Sequence, residues 1–307
     1  MLHHSTDRTL APFDRAPVWL NSDPLTAAGL RDRVVLVDFW TYSCVNWLRT
    51  LPYVRAWHER YRDRGLVVIG VHAPEFGFEH DLDNVRRAVG ELEGGYPVVI
   101  DNDFEIWRAF GNQYWPAAYL VGRDGRVGFR HFGEGAYEEI ERALQELLGI
   151  EAEPVRVDAG GLAEAADWDT LESPETYIGR ARGERRRDGR AGRLALNEWT
   201  LTGDWSVGEE AAVLAAPPGS ISYRFAARDL NLVLAPPPSG AAVRFGVRLD
   251  GDAPGDDRGL DVDGSGAGTV SEPRMYQLVR RRGPVAEGEF EITFHDAGVR
   301  AYVFTFG

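Results

Sequence analysis

The chain has 307 residues, 44% hydrophobic and 27% charged, with a formal net charge of -14. This composition fits a globular chain of about two domains. No run approaches the roughly 20 apolar residues of a membrane span. The negative balance argues against nucleic acid as a partner, because phosphate binding needs clustered positive charge. The sequence contains one cysteine, so no intrachain disulfide and no Cys-rich zinc site can form. All 34 basic residues are arginine, a bias from which no function follows. The opening run MLHHSTDRTLAPFDRAPVW has no apolar stretch after a basic start, so no secretory signal is read and a cytoplasmic location is expected.

After an N-terminal extension over residues 1–30, VVLVDFW at 34–40 reads as a buried strand: short, apolar and β-branched. A helix is expected from about Cys44 to Arg64, with Pro52 inside it. Then come a buried strand at Leu66–His72, a helix at Asp83–Leu92, a short strand at Tyr96–Ile100 and a helix at Asp103–Phe110. Ala117–Val121 and Val127–Phe132 read as strands joined by an Asp124-Gly125 hairpin turn, and Ala136–Leu148 as a closing helix. The order β-α-β-α-β-α-β-β-α predicts a mainly parallel sheet covered on both faces and ending in an antiparallel hairpin, a domain over residues 31–150.

Beyond residue 150 the pattern changes. Residues 151–193 carry few strand signals and include the arginine-rich GRARGERRRDGRAGR, read as a solvated linker or loop. Docking of acidic partners is a lesser reading of that run. From 194 to 307, short alternating segments are separated by Gly, Pro and Asp: Ala195–Leu201, Ala212–Leu214, Ser220–Ala226, Leu230–Leu234, Ala242–Asp250, Arg274–Val279, Glu289–His295 and Ala301–Phe306. They predict an all-β sandwich or jelly roll.

Cys44 falls where the strand 34–40 turns into the next helix. Backbone N–H groups at a helix start favour a thiolate, the reactive form of cysteine. A lone cysteine is also, as often, a small buried hydrophobe, and the residue by itself leaves both readings open.

The surrounding residues narrow the choice. VDFWTYSC, with Pro52 eight residues after the cysteine, Asp38 six before it, and Trp115-Pro116 ahead of AAYLV, resembles the thioredoxin superfamily. The resemblance is to DipZ-type thioredoxin-like proteins, related to TlpA. It continues through RTLPYV (49–54), IGVHAPEF (69–76), NQYWPAAYLV (112–121), SPETYIG (173–179) and RAYVFTFG (300–307), almost the whole chain. It implies a thioredoxin fold, thiol–disulfide chemistry at Cys44, a buried carboxylate at Asp38, a cis bond before Pro116 and a C-terminal domain resembling a carbohydrate-binding module. The chain departs from the family in one decisive place. The second active-site cysteine corresponds to Trp47. The family's membrane-embedded domain is also not read in this sequence.

A two-cysteine site attacks a substrate disulfide with one thiolate and releases the mixed disulfide with the other. Here the first step is available and the second is not, so the expected activity is that of a monothiol recycled by an external thiol. Partners would be a protein or low-molecular-weight thiol or disulfide, with a glycan at the β domain as a weaker expectation. Trp40, Thr41, Ser43, Trp47, Trp115 and Pro116 are expected to support the site, with Asp38 as a structural remnant or a modulator of Cys44. The residue before the cis-proline can pair with a bound peptide, and Trp40, Tyr42, Trp47 and Trp115 either line an aromatic surface for it or pack within the fold. A redox-inactive binding module is the alternative function. A one-cysteine peroxidase is a second, because Thr41 stands three residues before Cys44. Its usual proline position holds Val37, and it would need an arginine such as Arg49 or Arg130. No metal or organic cofactor is expected.

Other features carry less. His72, Glu75 and His80 could form a polar rim or a structural network. DGDAPGDDRGLDVDGSG (250–266) reads as a solvated hairpin more readily than as a calcium loop. Trp199, Trp205, Tyr177, Tyr223 and Tyr276 could stack on sugars, but aromatics commonly fill sandwich cores.

Overall fold

A computed structural model of the chain describes residues 10–187, 189 and 192–307. The boundary between two compact units falls between Glu164 and Ala165. Residues 151–193, read from sequence as a linker, divide between them. The amide of Val155 donates to Glu141 in the first unit, while Thr176–Tyr177 join the sheet of the second. In the arginine-rich run, residues 188, 190 and 191 lie outside the described residues, as do residues 1–9 at the N-terminus.

The first unit is built on a six-stranded sheet. Its strands are β1 (Trp19–Leu20), β2 (Val34–Trp40), β3 (Leu66–His72), β4 (Val98–Ile100), β5 (Ala117–Val121) and β6 (Val127–Phe132), in the order β1-β4-β3-β2-β5-β6. β2, β3 and β4 run parallel, whereas β5, β6 and β1 are antiparallel to their neighbours. The helices are α1 (Val45–Tyr61), α2 (Leu82–Leu92), α3 (Glu105–Phe110) and α4 (Tyr137–Leu148). This mixed, helix-covered sheet is the thioredoxin fold expected from the sequence.

β2 is buried along its whole length, which is why it reads as an unbroken apolar run. Its residues alternate between faces. Val35, Val37 and Phe39 pack with Ile69, Val71, Tyr119 and Phe110 in one core. Leu36, Asp38 and Trp40 point the other way, where Asp38 meets Trp47 of α1. On α4, buried Glu141 accepts from Trp57 Nε1 (3.1 Å) and Tyr61 Oη (2.5 Å) of α1, tying the two helices.

The second unit contains β7 (Thr176–Tyr177), β8 (Trp199–Val207), β9 (Ala212–Phe225), β10 (Asp229–Ala235), β11 (Val243–Leu249), β12 (Ala267–Val270), β13 (Arg274–Arg280), β14 (Gly288–Phe294) and β15 (Arg300–Phe306). They form one hydrogen-bonded system ordered β12-β11-β14-β9-β15-β10-β13, with β7 on β15 and β8 on β9. The 14-residue β9 pairs with three strands, β8, β14 and β15. Its N-terminal end pairs with β15 and its C-terminal half with β14. The enclosed core runs from Ile178 to Phe306 and includes Trp199, Tyr223, Phe245, Phe290 and Phe304.

Candidate active site

The end of β2 and the start of α1 build the centre of the site. Cys44 is the N-cap of α1, with extended backbone (φ -81°, ψ 110°). Its amide donates to Thr41 O at 3.3 Å and its carbonyl accepts the first helical bond, from Leu48 N at 3.0 Å. Cys44 is half-buried and carries no disulfide, while Thr41, Tyr42 and Ser43 are buried. The reacting atom is thus placed at a helix start by a turn that is otherwise packed inside the protein.

One helical turn on, Trp47 is buried beneath that turn. Its indole Nε1 donates to Asp38 Oδ2 at 2.9 Å, and its ring stacks on Trp40 with centroids 4.2 Å apart and planes 22° apart. Burial pushes the Asp38 carboxyl up to about 7, against the pull of the Trp47 indole. Oδ1 of Asp38 has no hydrogen-bond partner among the described residues. Asp38 lies opposite Gly70 on β3. A Cβ at Gly70 would come 2.9 Å from Trp40 Nε1 and 3.0 Å from the Tyr96 ring, so the tryptophan pair requires glycine there.

His72, at the end of β3, is fully buried between Trp40 (5.0 Å, edge-on) and Tyr42 (5.9 Å, stacked). Neither ring nitrogen has a partner among the described residues. Burial, helped by the charge of His80, depresses the imidazole to about 3, so it is neutral.

Trp115 and Pro116 come to the same end of the sheet. The Trp115-Pro116 bond is cis. Ala117 pairs with Phe39, and Trp115 Nε1 donates to Ala73 O at 3.0 Å, whose own amide donates to Trp40 O. The Trp115 ring packs on Trp107 at 4.4 Å and is half-buried. Of the four aromatics considered as a surface around Cys44, Trp40, Tyr42 and Trp47 are buried. These three act within the fold, and Trp115 keeps exposure.

The remaining candidates fall elsewhere. Arg49 is buried against Glu134 at 2.9 Å, and Arg130 lies over the Phe132 ring, so each arginine considered for a peroxide has another engagement. His80 lines a cleft of about 590 Å³ with Arg15, Asp103 and Glu105. In the second unit, Trp199, Tyr223 and Tyr276 are core residues, Trp205 packs against that core, and Arg182 covers the Tyr177 ring at 3.6 Å. In the acidic loop, Asp261 pairs with Arg274 at 2.6 Å and Asp263 accepts from the amides of Ser265 and Ala267. No cluster of metal-ligating side chains occurs among the described residues.

One site residue escaped the sequence reading. Glu79, in a 3₁₀ turn over Gly77–His80, is fully buried and accepts Ser43 Oγ at 2.6 Å. Its other oxygen accepts the amides of Glu75 (2.6 Å) and Phe76 (3.0 Å). Burial raises its carboxyl to about 7, with the Ser43 hydroxyl pulling it down. A glutamate three residues past the amide it reaches back to is a recognisable turn-closing pattern. Its bond to Ser43, 36 positions away, leaves no local signal.

Residues 173–307 match a family described as "Thioredoxin like C-terminal domain". Protein DipZ of Mycobacterium bovis is 34% identical over 232 residues, covering 70% of this chain and 33% of that protein. The chain belongs to the thioredoxin superfamily, among its DipZ/TlpA-type members. It spans about a third of the length of the DipZ proteins it matches. The thiol-disulfide oxidoreductase YkuV of Bacillus subtilis is 29% identical over 132 residues, 42% of this chain and 87% of YkuV. A solved structure of a thioredoxin-like protein in the oxidised form is 26% identical, with a TM-score of 0.40, covering 44% of this chain and 91% of that one. No helix among the described residues is long and apolar enough to cross a membrane.

Proposed function

We propose that the protein carries out thiol–disulfide exchange as a monothiol. The Cys44 thiolate attacks one sulfur of a substrate disulfide, forming a Cys44–substrate disulfide and releasing the other sulfur as a thiolate. An external thiol, protein or small molecule, then attacks that mixed disulfide, leaving with the substrate sulfur and returning Cys44 as thiolate. Each step exchanges one S–S bond for another: one substrate sulfur is released as thiolate and the other leaves in a disulfide with the external thiol, from which a second external thiol can free it.

The observation that carries this reading is the Trp47–Asp38 bond. The position one turn after the nucleophile, where a resolving thiol would be nearest, holds a buried indole committed to the carboxylate behind it. Cys44 is the chain's one cysteine, so release depends on a second molecule. The position of Cys44 at a helix start supports its use as a nucleophile.

Intact-mass measurement tests this directly. Treated with a small disulfide, the protein should gain one adduct on Cys44, keep it when excess reagent is removed, and lose it on adding a thiol. An unreactive Cys44 in folded protein would overturn the proposal and leave peptide binding beside Trp115 as the reading to pursue. Rapid, thiol-reversible sulfenic acid formation with hydrogen peroxide, faster than exchange, would favour a peroxidase instead.

A further inference from the structure

The residues that lead into Cys44 at the start of α1 are anchored to one segment, residues 73–79. Trp40 O accepts the amide of Ala73. Tyr42 Oη donates to Phe78 O at 3.5 Å. Ser43, immediately before the cysteine, donates to Glu79 Oε1 at 2.6 Å. Glu79 is held in turn by the amides of Glu75 and Phe76 on its second oxygen.

A fully buried carboxyl is a costly way to brace a loop. An apolar side chain would fill the same space without the desolvation penalty. What Glu79 provides that an apolar residue would not is a directional acceptor shared between two segments. The amides of Glu75 and Phe76, from its own turn, and the hydroxyl of Ser43, which leads into Cys44, converge on it. Reactive groups need placement within about 0.5 Å, and an error of about 1 Å can cost about a hundredfold in rate.

We propose that Glu79 is a positioning residue for Cys44, its carboxyl group fixing, through Ser43, the turn that presents the thiol. The proposal rests on Cys44 being the reacting group, as set out above.

The test uses the full chain with S43A, E79Q, E79A and the S43A/E79A double variant, each checked for folding by near-ultraviolet circular dichroism. Two rates are read: mixed-disulfide formation with the chromogenic aromatic disulfide dithiobis(nitrobenzoate), and alkylation by iodoacetamide from about pH 5 to about pH 10. S43A and E79A should each slow both reactions about tenfold, and the double variant should be no slower than E79A, because the two residues act as one unit. E79Q keeps a carbonyl acceptor and should retain most of the rate. The midpoint of the alkylation profile should move upward in S43A and E79A and stay in place in E79Q. A brace for the fold alone would lower the melting temperature while leaving the rates and midpoint unchanged, and that result overturns the proposal. Should E79A fail to fold, S43A decides, since it removes one hydroxyl: a wild-type rate in S43A overturns the positioning role. If wild-type Cys44 alkylates but does not exchange with the disulfide, the monothiol function fails, and Glu79 is judged on the alkylation profile alone.

Discussion

A buried carboxylate bonded on one oxygen is a source of pH dependence. Asp38 has a folded pKa of about 7, above the ordinary aspartate value of 3.8. Folded protein therefore holds a proton that unfolded chain releases, and stability falls as pH rises from about 4 to about 7. Glu79 acts in the same direction. Asp38→Asn should flatten part of this fall, seen as a smaller change in urea midpoint between pH 5 and pH 8 than in the wild type; an unchanged slope would show that Asp38 is ionised throughout. Trp47→Phe does the reverse. It removes the indole donor to Asp38, and should cost about 1–3 kcal/mol, more at pH 8 than at pH 5 because the ionised carboxylate loses more. His72 has the opposite sign. Its folded pKa of about 3 lies below the ordinary 6.5, so it is neutral when folded and protonates on unfolding, and stability is lost as pH falls from about 6.5 to about 3. His72→Phe keeps a ring between Trp40 and Tyr42, removes ring nitrogens that have no partner among the described residues, and should remove this acid limb from denaturation curves.

The first turn of α1 places residue 47 one turn from Cys44, on the face that meets Asp38. Trp47→Cys should therefore convert the site to a dithiol: oxidation would remove two hydrogens by intact mass, and the reduced variant should reduce insulin without added thiol, whereas the wild type should not. A folded variant that stays as two thiols would mean the turn holds the two sulfurs apart. Such elements were largely legible in the sequence. β2 and β3 announced themselves as continuous β-branched runs, and the hairpin between β5 and β6 by Asp124-Gly125. The elements that were missed owe their existence to partners far away in sequence. β1 is two residues long and pairs with β4 across 78 positions at Leu20↔Val98. β4 starts at Val98 rather than Tyr96, whose ring packs near Gly70 instead of extending the strand. β9 reads as two strands because Pro217-Pro218 interrupt the alternation. They fall where the pairing with β8 shifts register between Thr202 and Asp204, so the strand passes through them. In the site, Cys44, Pro116 and the missing second cysteine were expected from the family resemblance of the surrounding motifs, whereas the Trp47–Asp38 and Glu79–Ser43 bonds depend on which faces meet.

The two units differ in what holds them together, and that sets what each can do alone. Among the described residues, the buried core of the second unit runs from Ile178 to Phe306, with Leu171 packed against it, and β9 and β15 are neighbours within its strand order. One large core cluster of the first unit draws on residues from Leu10 to Val121 and includes none beyond. Neither cluster borrows a side chain from the other, and each contains enough buried aliphatic and aromatic residues to unfold cooperatively. A chain comprising residues 165–307 should therefore give a single sigmoidal thermal transition and dispersed amide signals. Failure to do so would show that the β unit depends on residues before 165. The matching experiment on residues 10–164 reads the chemistry. Asp38, Cys44, Trp47, Glu79 and Pro116 all lie in that unit, so Cys44 should form mixed disulfides with a small disulfide at the full-length rate. If that rate is kept for the small reagent but falls for a protein disulfide, the C-terminal unit contributes to choosing the substrate and leaves the sulfur chemistry untouched. If the small-reagent rate falls as well in a folded fragment, the site depends on the second unit for its geometry.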